Sequence, residues 1–179
     1  SLLSADVSLG ALHYWDRPSD EKTDYTGNLR LLYSRSLTPR TRANVSVNAA
    51  YQTNPDFTRR NAPVREGGGA YLNATGRADL NYRVTGRFTS VSSYQLSGNL
   101  YNEQRFQGDN IVEHTVGQQI KFLWTPRFTA VGEYRYRVTL REDETRNAFS
   151  HFALLGIESK YSSRLEFSLR IGQQSVRYE

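Results

Sequence analysis

The sequence predicts an all-β fold: an antiparallel up-and-down transmembrane β-barrel, present here as about nine strands. Three observations predict it. Apolar and polar residues alternate along segment after segment. The connections alternate between tight and long. Aromatic residues gather near both ends of the segments, as at the two interfaces of a membrane.

Phe128 to Arg141 shows the pattern most fully. Phe128, Ala130, Gly132, Tyr134, Tyr136, Val138 and Leu140 take one parity, and Thr129, Val131, Glu133, Arg135, Arg137, Thr139 and Arg141, nearly all polar, the other. Successive side chains point to opposite faces of a strand, so one face is apolar and the other charged. At about 14 residues it exceeds the usual soluble strand of 5–6. A tilted strand that crosses a membrane needs that length and that division.

Segment one, Leu3 to Trp15, sets Leu3, Ala5, Val7, Leu9, Ala11 and Trp15 against Ser4, Asp6, Ser8 and Gly10. A polar loop with Pro18 follows. Segment two, Tyr25 to Leu37, sets Tyr25, Gly27, Leu29, Leu31 and Tyr33 against Asn28, Arg30 and Ser34. Thr38-Pro39-Arg40 is a tight turn, with proline presetting φ. Segment three, Arg42 to Gln52, sets Ala43, Val45, Val47, Ala49 and Tyr51 against Arg42, Asn44, Ser46, Asn48 and Gln52.

Thr53 to Gly69 is a long connection. Segment four, Ala70 to Val84, sets Leu72, Ala74, Ala78, Leu80 and Tyr82 against Asn73, Thr75, Arg77, Asp79, Asn81 and Arg83. Thr85-Gly86-Arg87 is short. Segment five, Phe88 to Tyr101, is more polar, with Phe88, Tyr94, Leu96 and Leu100 on its apolar side. Asn102 to Glu113 reads as a polar loop. Segment six, His114 to Trp124, sets Val116, Ile120, Phe122 and Trp124 against Gln119 and Lys121.

Thr125-Pro126-Arg127 repeats the earlier turn and leads into the segment at Phe128. Glu142 to Asn147 is a charged loop. Segment eight, Ala148 to Tyr161, sets Phe149, Ala153, Leu155, Ile157 and Tyr161 against Glu158 and Lys160, although Phe152 and Leu154 share the charged side. Ser162 to Arg164 is short. Segment nine, Leu165 to Tyr178, sets Leu165, Phe167, Leu169, Ile171, Val176 and Tyr178 against Glu166, Ser168, Arg170 and Gln174.

Connections after the second, fourth, sixth and eighth segments are tight; those after the first, third, fifth and seventh are long. Short periplasmic turns and longer outer loops give a barrel this asymmetry. Tyr33, Tyr82, Phe88, Trp124, Phe128, Tyr161 and Phe167 lie near the tight turns. Trp15, Tyr25, Tyr51, Tyr94, Tyr101, Tyr136, Phe149 and Tyr178 lie near the long loops. The first and ninth segments both end on the long-loop side. A barrel with an even strand count therefore expects at least one more strand after Glu179, so residues 1–179 read as one β-barrel domain within a larger barrel.

Composition narrows the classes further. Of 179 residues, 37% are hydrophobic and 12% aromatic. No stretch approaches the ~18 consecutive apolar residues of a transmembrane helix. Alternation hides the hydrophobicity of a barrel, so a low apolar share is compatible with one. The chain opens directly into alternation at Ser1, with no signal peptide, as a mature form or an excised piece would. There is no cysteine, hence no disulfide and no thiolate metal site. Net charge is +5, but the arginines are dispersed along strands and form no patch suited to nucleic acid.

Several stretches resemble the beta-barrel porin 2 family of bacterial outer-membrane proteins. They are Asn54-Pro-Asp-Phe57, Tyr82 to Tyr94 with its core Phe88-Thr-Ser-Val-Ser-Ser-Tyr94, and Glu113-His114-Thr115. Phe122-Leu-Trp124 with its Pro-Arg turn, Glu133-Tyr-Arg135 and His151-Phe-Ala-Leu-Leu-Gly156 continue the series, so that it covers most of residues 20–179. The resemblance implies a barrel in the outer membrane of a Gram-negative-type envelope, surrounded by lipid and lipopolysaccharide. It carries over no catalytic residue.

By parity, Arg30, Arg77, Asp79, Arg83, Lys121, Glu133, Arg135, Arg137, Glu158 and Arg170 face the lumen, with Asp6, Lys160 and Glu166. Charged rings in a wet pore select ions by sign. Arginine excess predicts a preference for anions or acidic sugars. The same charges also suit an ion-pair network that stiffens the wall. In the long connection, Arg59, Arg60 and Arg65 are candidates for lipopolysaccharide phosphates or solute, against a plain solvated loop.

His114 and His151 fall near long loops, with Asp109 and Asp143 close in sequence, but no Ser/His/Asp spacing marks a hydrolase. Scattered histidines without cysteine predict no metal, and no cofactor motif is present. The expected function is a porin-like channel for small polar, including anionic, solutes. The alternatives are a non-conducting barrel that exports polysaccharide or anchors a partner, and a soluble β-sandwich or lectin-like module.

Overall fold

The computed structural model describes residues 1–13, 15, 23–53, 70–101, 110–142, 147–160 and 165–178. Their strands are β1 (Leu2–His13), β2 (Thr23–Thr38), β3 (Thr41–Gln52), β4 (Tyr71–Arg83), β5 (Phe88–Tyr101), β6 (Ile111–Thr125), β7 (Phe128–Arg141), β8 (Ala148–Lys160) and β9 (Glu166–Tyr178). All nine join one antiparallel sheet in the order β1-β2-β3-β4-β5-β6-β7-β8-β9. Each strand pairs only with its sequence neighbours, so the sheet is an open meander in which β1 and β9 are edges. No helix forms among the described residues, so none crosses a membrane, which says nothing of crossing by strands.

Registers are continuous over whole strands. Leu2 pairs with Ser34 and His13 with Thr23 along β1 and β2. Tyr71 pairs with Tyr101 and Arg83 with Thr89 along β4 and β5. The pairing shifts only between Ser36 and Thr38 and between Leu123 and Thr125, each beside a Thr-Pro-Arg turn. Opposed residues share a face, so continuous register carries each strand's alternation across all nine.

The three described tight turns share one device. In Thr125-Pro-Arg the hydroxyl of Thr125 accepts from the backbone N–H of Arg127 (3.4 Å) and of Phe128 (3.1 Å). In Thr85-Gly-Arg, Thr85 accepts from Arg87 (3.3 Å) and Phe88 (3.1 Å) in the same way. Thr38 accepts from Arg40 at 3.2 Å. A threonine hydroxyl thus takes up donors that the hairpin ladder leaves unpaired. The turn arginine's carbonyl then accepts from the next strand along: Arg40 from Arg83, Arg87 from Leu123, Arg127 from Lys160.

There is almost no conventional core. Val131 and Ala148 are the only apolar side chains buried among the described residues. The apolar face stays open, with Leu155 at 69% and Ile171 at 78% exposure. The polar face is more closed although no second layer of described residues covers it. Its long side chains fold over one another and over the small residues between them.

Two expectations are corrected. Ile111, Val112 and Glu113 belong to β6 and not to a loop, because they pair with Asn99, Gly98 and Ser97 on one side and with Arg141, Leu140 and Thr139 on the other. Val176 and Tyr178 lie on the polar face with Arg170. β9 pairs with β8 from Lys160↔Glu166 to Ala148↔Tyr178 without a shift, so its parity cannot switch past Ile171. The apolar face of β9 therefore continues as Gln173, Ser175 and Arg177.

Candidate functional site

The register brings the candidate charges to one face. Arg30 of β2 lies between Asp6 and Asn48. Arg77, Asp79 and Arg83 of β4 lie opposite Gln95, Ser93 and Thr89. Lys121 of β6 faces Val131, and Glu133, Arg135 and Arg137 of β7 face Leu154, Phe152 and Ser150. Glu158 of β8 and Arg170 of β9 complete the set. Arg59, Arg60 and Arg65 lie outside the described residues, as do Asp109, Asp143 and Tyr161.

Toward β1, this face is a field of amides and hydroxyls. Asn73 donates to Asn99 across β4 and β5, and Ser34 donates to Asn44 at 2.8 Å. Arg77 is tied within its own strand to Asp79 at 2.9 Å. The i, i+2 spacing on one strand places both on one face, so no other strand is needed for that pair.

Toward β9, the charges form a connected network across four strands. Lys121 Nζ donates to Glu158 at 2.8 Å, spanning β7. Arg170 donates to the same carboxylate at 2.7 Å through Nη2 and to Glu133 at 3.2 Å through Nη1, spanning β8. Glu133 also accepts from Gln119 at 3.1 Å and has Arg135 Nε 2.8 Å away. Glu133 is 13% exposed and takes contacts from two strands besides its own and from Arg135 within it, which offsets the cost of drawing a carboxylate out of water.

Small residues make this reach possible. Lys121, Val131, Gly156 and Arg170 form one row, with Val131 4% exposed beneath the side chains that cross it. A Cβ at Gly156 would come within 2.8 Å of Arg170 Cγ and 2.5 Å of the Leu169 carbonyl. A Cβ at Gly117 would meet Ser93 Oγ at 2.6 Å and Arg135 Cγ at 3.2 Å. Glycine opposite an arginine thus seats the arginine's stem against the sheet.

Arg135 and Arg137 also share an aromatic partner. Their guanidinium carbons lie 5.5 and 5.2 Å from the ring centroid of Phe152. Phe152 is an aromatic on the polar parity, visible in the sequence but with nothing there to give it a role. Glu113, which the sequence pattern alone puts in a loop, sits in this region and accepts from Thr139 at 3.0 Å.

The apolar face carries polar residues of its own, and they pair among themselves. Ser92 donates to Gln118 and Gln118 donates to Ser90, both at 2.7 Å. Tyr94 Oη lies 2.8 Å from His114 Nδ1, and Tyr134 Oη lies 2.7 Å from His151 Nδ1. Both histidines are thus engaged with tyrosines, on the face opposite the charged network. Among the described residues no group of three or more His, Asp or Glu is arranged to hold a metal ion.

No family model, no curated protein and no solved structure matches the chain.

Proposed function

We propose that the chain forms part of the wall of a transmembrane β-barrel in a bacterial outer membrane, as its resemblance to the beta-barrel porin 2 family implies. The polar face lines a water-filled path for small polar solutes, and the apolar face meets lipid. One observation carries the reading: a charged face and a largely apolar face run in register from β1 into the first half of β9, and no described residue covers the apolar one. A soluble sandwich would have to pack its Leu, Val and Tyr faces against a second layer.

Other features support it. Strands of 12 to 16 residues, at about 3.3 Å per residue and tilted by ~45°, project to roughly 28 to 37 Å, enough for the ~25 Å apolar band of an outer-membrane barrel. On the apolar face Ser90, Ser92 and Gln118, and the Tyr94–His114 and Tyr134–His151 pairs, hydrogen-bond among themselves, as lipid contact favours. β1 and β9 run in the same direction, so antiparallel closure requires an odd number of further strands. On the polar face, Arg30, Arg42, Arg77, Arg83, Lys121, Arg135, Arg137, Arg141, Lys160 and Arg170 outnumber Asp6, Asp24, Asp79, Glu113, Glu133, Glu158 and Glu166, which favours anions.

Planar-bilayer conductance of the full-length protein, refolded in detergent, tests the channel. Discrete ohmic steps with an anion-selective reversal potential are expected. Insertion without conductance would favour the second reading, a closed barrel that exports polysaccharide or anchors a partner. The Lys121–Glu158–Arg170–Glu133 network, which would brace a wall with no open pore, speaks for that alternative.

A further inference from the structure

We infer that Arg135 and Arg137, held on the ring of Phe152, form an oxyanion-binding site for the carboxylate or phosphate group of a passing solute. The inference rests on the polar face being in contact with water and names the solute class that face takes.

The two arginines are neighbours on one face of β7, at the i, i+2 spacing. Both guanidinium groups lie over the same ring, opposite in register to Arg135. Cation–π contact orients a guanidinium without using its N–H donors. Phe152 therefore holds two guanidinium groups close together and leaves their Nη donors free to act, while both Nε atoms are buried.

Their charge is unevenly used. Arg170 and Lys121 reach carboxylates at 2.7 to 2.8 Å. Arg137 comes only within 3.8 Å of Glu113, beyond hydrogen-bonding distance, and Glu113 is already engaged by Thr139. Arg137 Nε is buried with no hydrogen-bond partner among the described residues. Arg135 Nε is close to Glu133 but not aligned for a hydrogen bond, and that carboxylate already serves Arg170 and Gln119. About a third of each arginine side chain remains exposed.

Donors in excess of acceptors, two adjacent guanidinium forks and an aromatic platform suit an oxyanion. A spherical chloride uses the charge but not the fork geometry. Thr115, which pairs with Arg137 in register, adds a hydroxyl to the same row.

The test is isothermal titration of the full-length, detergent-refolded protein with inorganic phosphate and, separately, with acetate, at constant ionic strength in chloride. The parent is expected to bind at least one of them; which one is tighter identifies the group taken. Arg137→Gln should weaken that binding about tenfold, and Arg137→Lys, which keeps the charge but loses the fork, several-fold. Phe152→Leu should weaken it with both arginines present. Arg40→Gln, which removes a like charge at a tight turn, should leave it unchanged.

No binding by the parent, equal loss in Arg40→Gln, or full affinity in both Arg137 variants would overturn the site. If Arg137→Gln does not refold, Arg137→Lys and Phe152→Leu decide alone. Conductance read on the same preparations separates the two proposals. Anion binding without conductance removes the channel and keeps the site. Conductance with no phosphate or acetate binding removes the site and keeps the channel.

Discussion

Arg170 Nη1 lies 3.2 Å from Glu133 Oε2, although a whole strand, β8, runs between the strands that carry them. The contact exists because Gly156 offers no side chain at the crossing. Gly156→Val should displace Arg170 and strain the β8–β9 ladder, lowering stability by about 1–3 kcal/mol. Arg170→Gln should cost less, under about 1 kcal/mol, because the pair is partly exposed and Glu133 keeps Arg135 and Gln119. Thermal or denaturant melts of the refolded protein check the ranking; the reverse order would refute the role given to Gly156.

Tyr134 and Arg135 are adjacent but face opposite ways. Tyr134→Arg should impair membrane insertion, since arginine near the bilayer midplane costs about 2–4 kcal/mol. Arg135→Tyr should insert as well as the parent and reduce any anion preference. Equal insertion of both variants, scored by folding into lipid vesicles, would sink the assignment of faces.

The Ser90–Gln118–Ser92 cluster lies within the apolar face. Gln118→Ala strands two hydroxyls and should cost about 1 kcal/mol. Replacing all three with Ala, Leu and Ala removes the donors and acceptors together and should cost less than the single change. Stability of the two variants in the same detergent decides it.

A chain without cysteine permits labelling at single introduced cysteines. Gln174→Cys and Val176→Cys should react with a water-soluble maleimide after insertion, and Leu155→Cys and Ile171→Cys should not. Protection of Val176→Cys would restore the apolar placement that the β8–β9 register overturns.

Selectivity offers a further check. Under a potassium chloride gradient, the Arg77→Glu, Arg83→Glu double variant should move the reversal potential toward the cation side relative to the parent. An unchanged potential would show that the polar face does not set the ionic preference.

Strand existence and facing were legible because they depend on near neighbours. The period of two along Phe128–Arg141 fixes which side chains share a face, whatever that strand pairs with. The same logic put all ten candidate charges on one parity. It failed at Val176 and Tyr178, where greasy residues invite a change of parity that only a bulge in the pairing would allow. It also stopped short at Ile111–Glu113, where polar surroundings masked three residues held in the sheet by both neighbours.

What the sequence determined by itself is the set of strands, their turns and the chemistry of their faces, because alternation and turn chemistry act within a few residues of the chain. Only the tertiary structure decided that Lys121 meets Glu158 across β7, that Arg170 crosses Gly156 to Glu133, and that Phe152 gathers Arg135 and Arg137. Those contacts depend on the register between strands, which whole faces and turns set together, and on the space that small residues leave at a crossing; the pattern within one strand encodes neither.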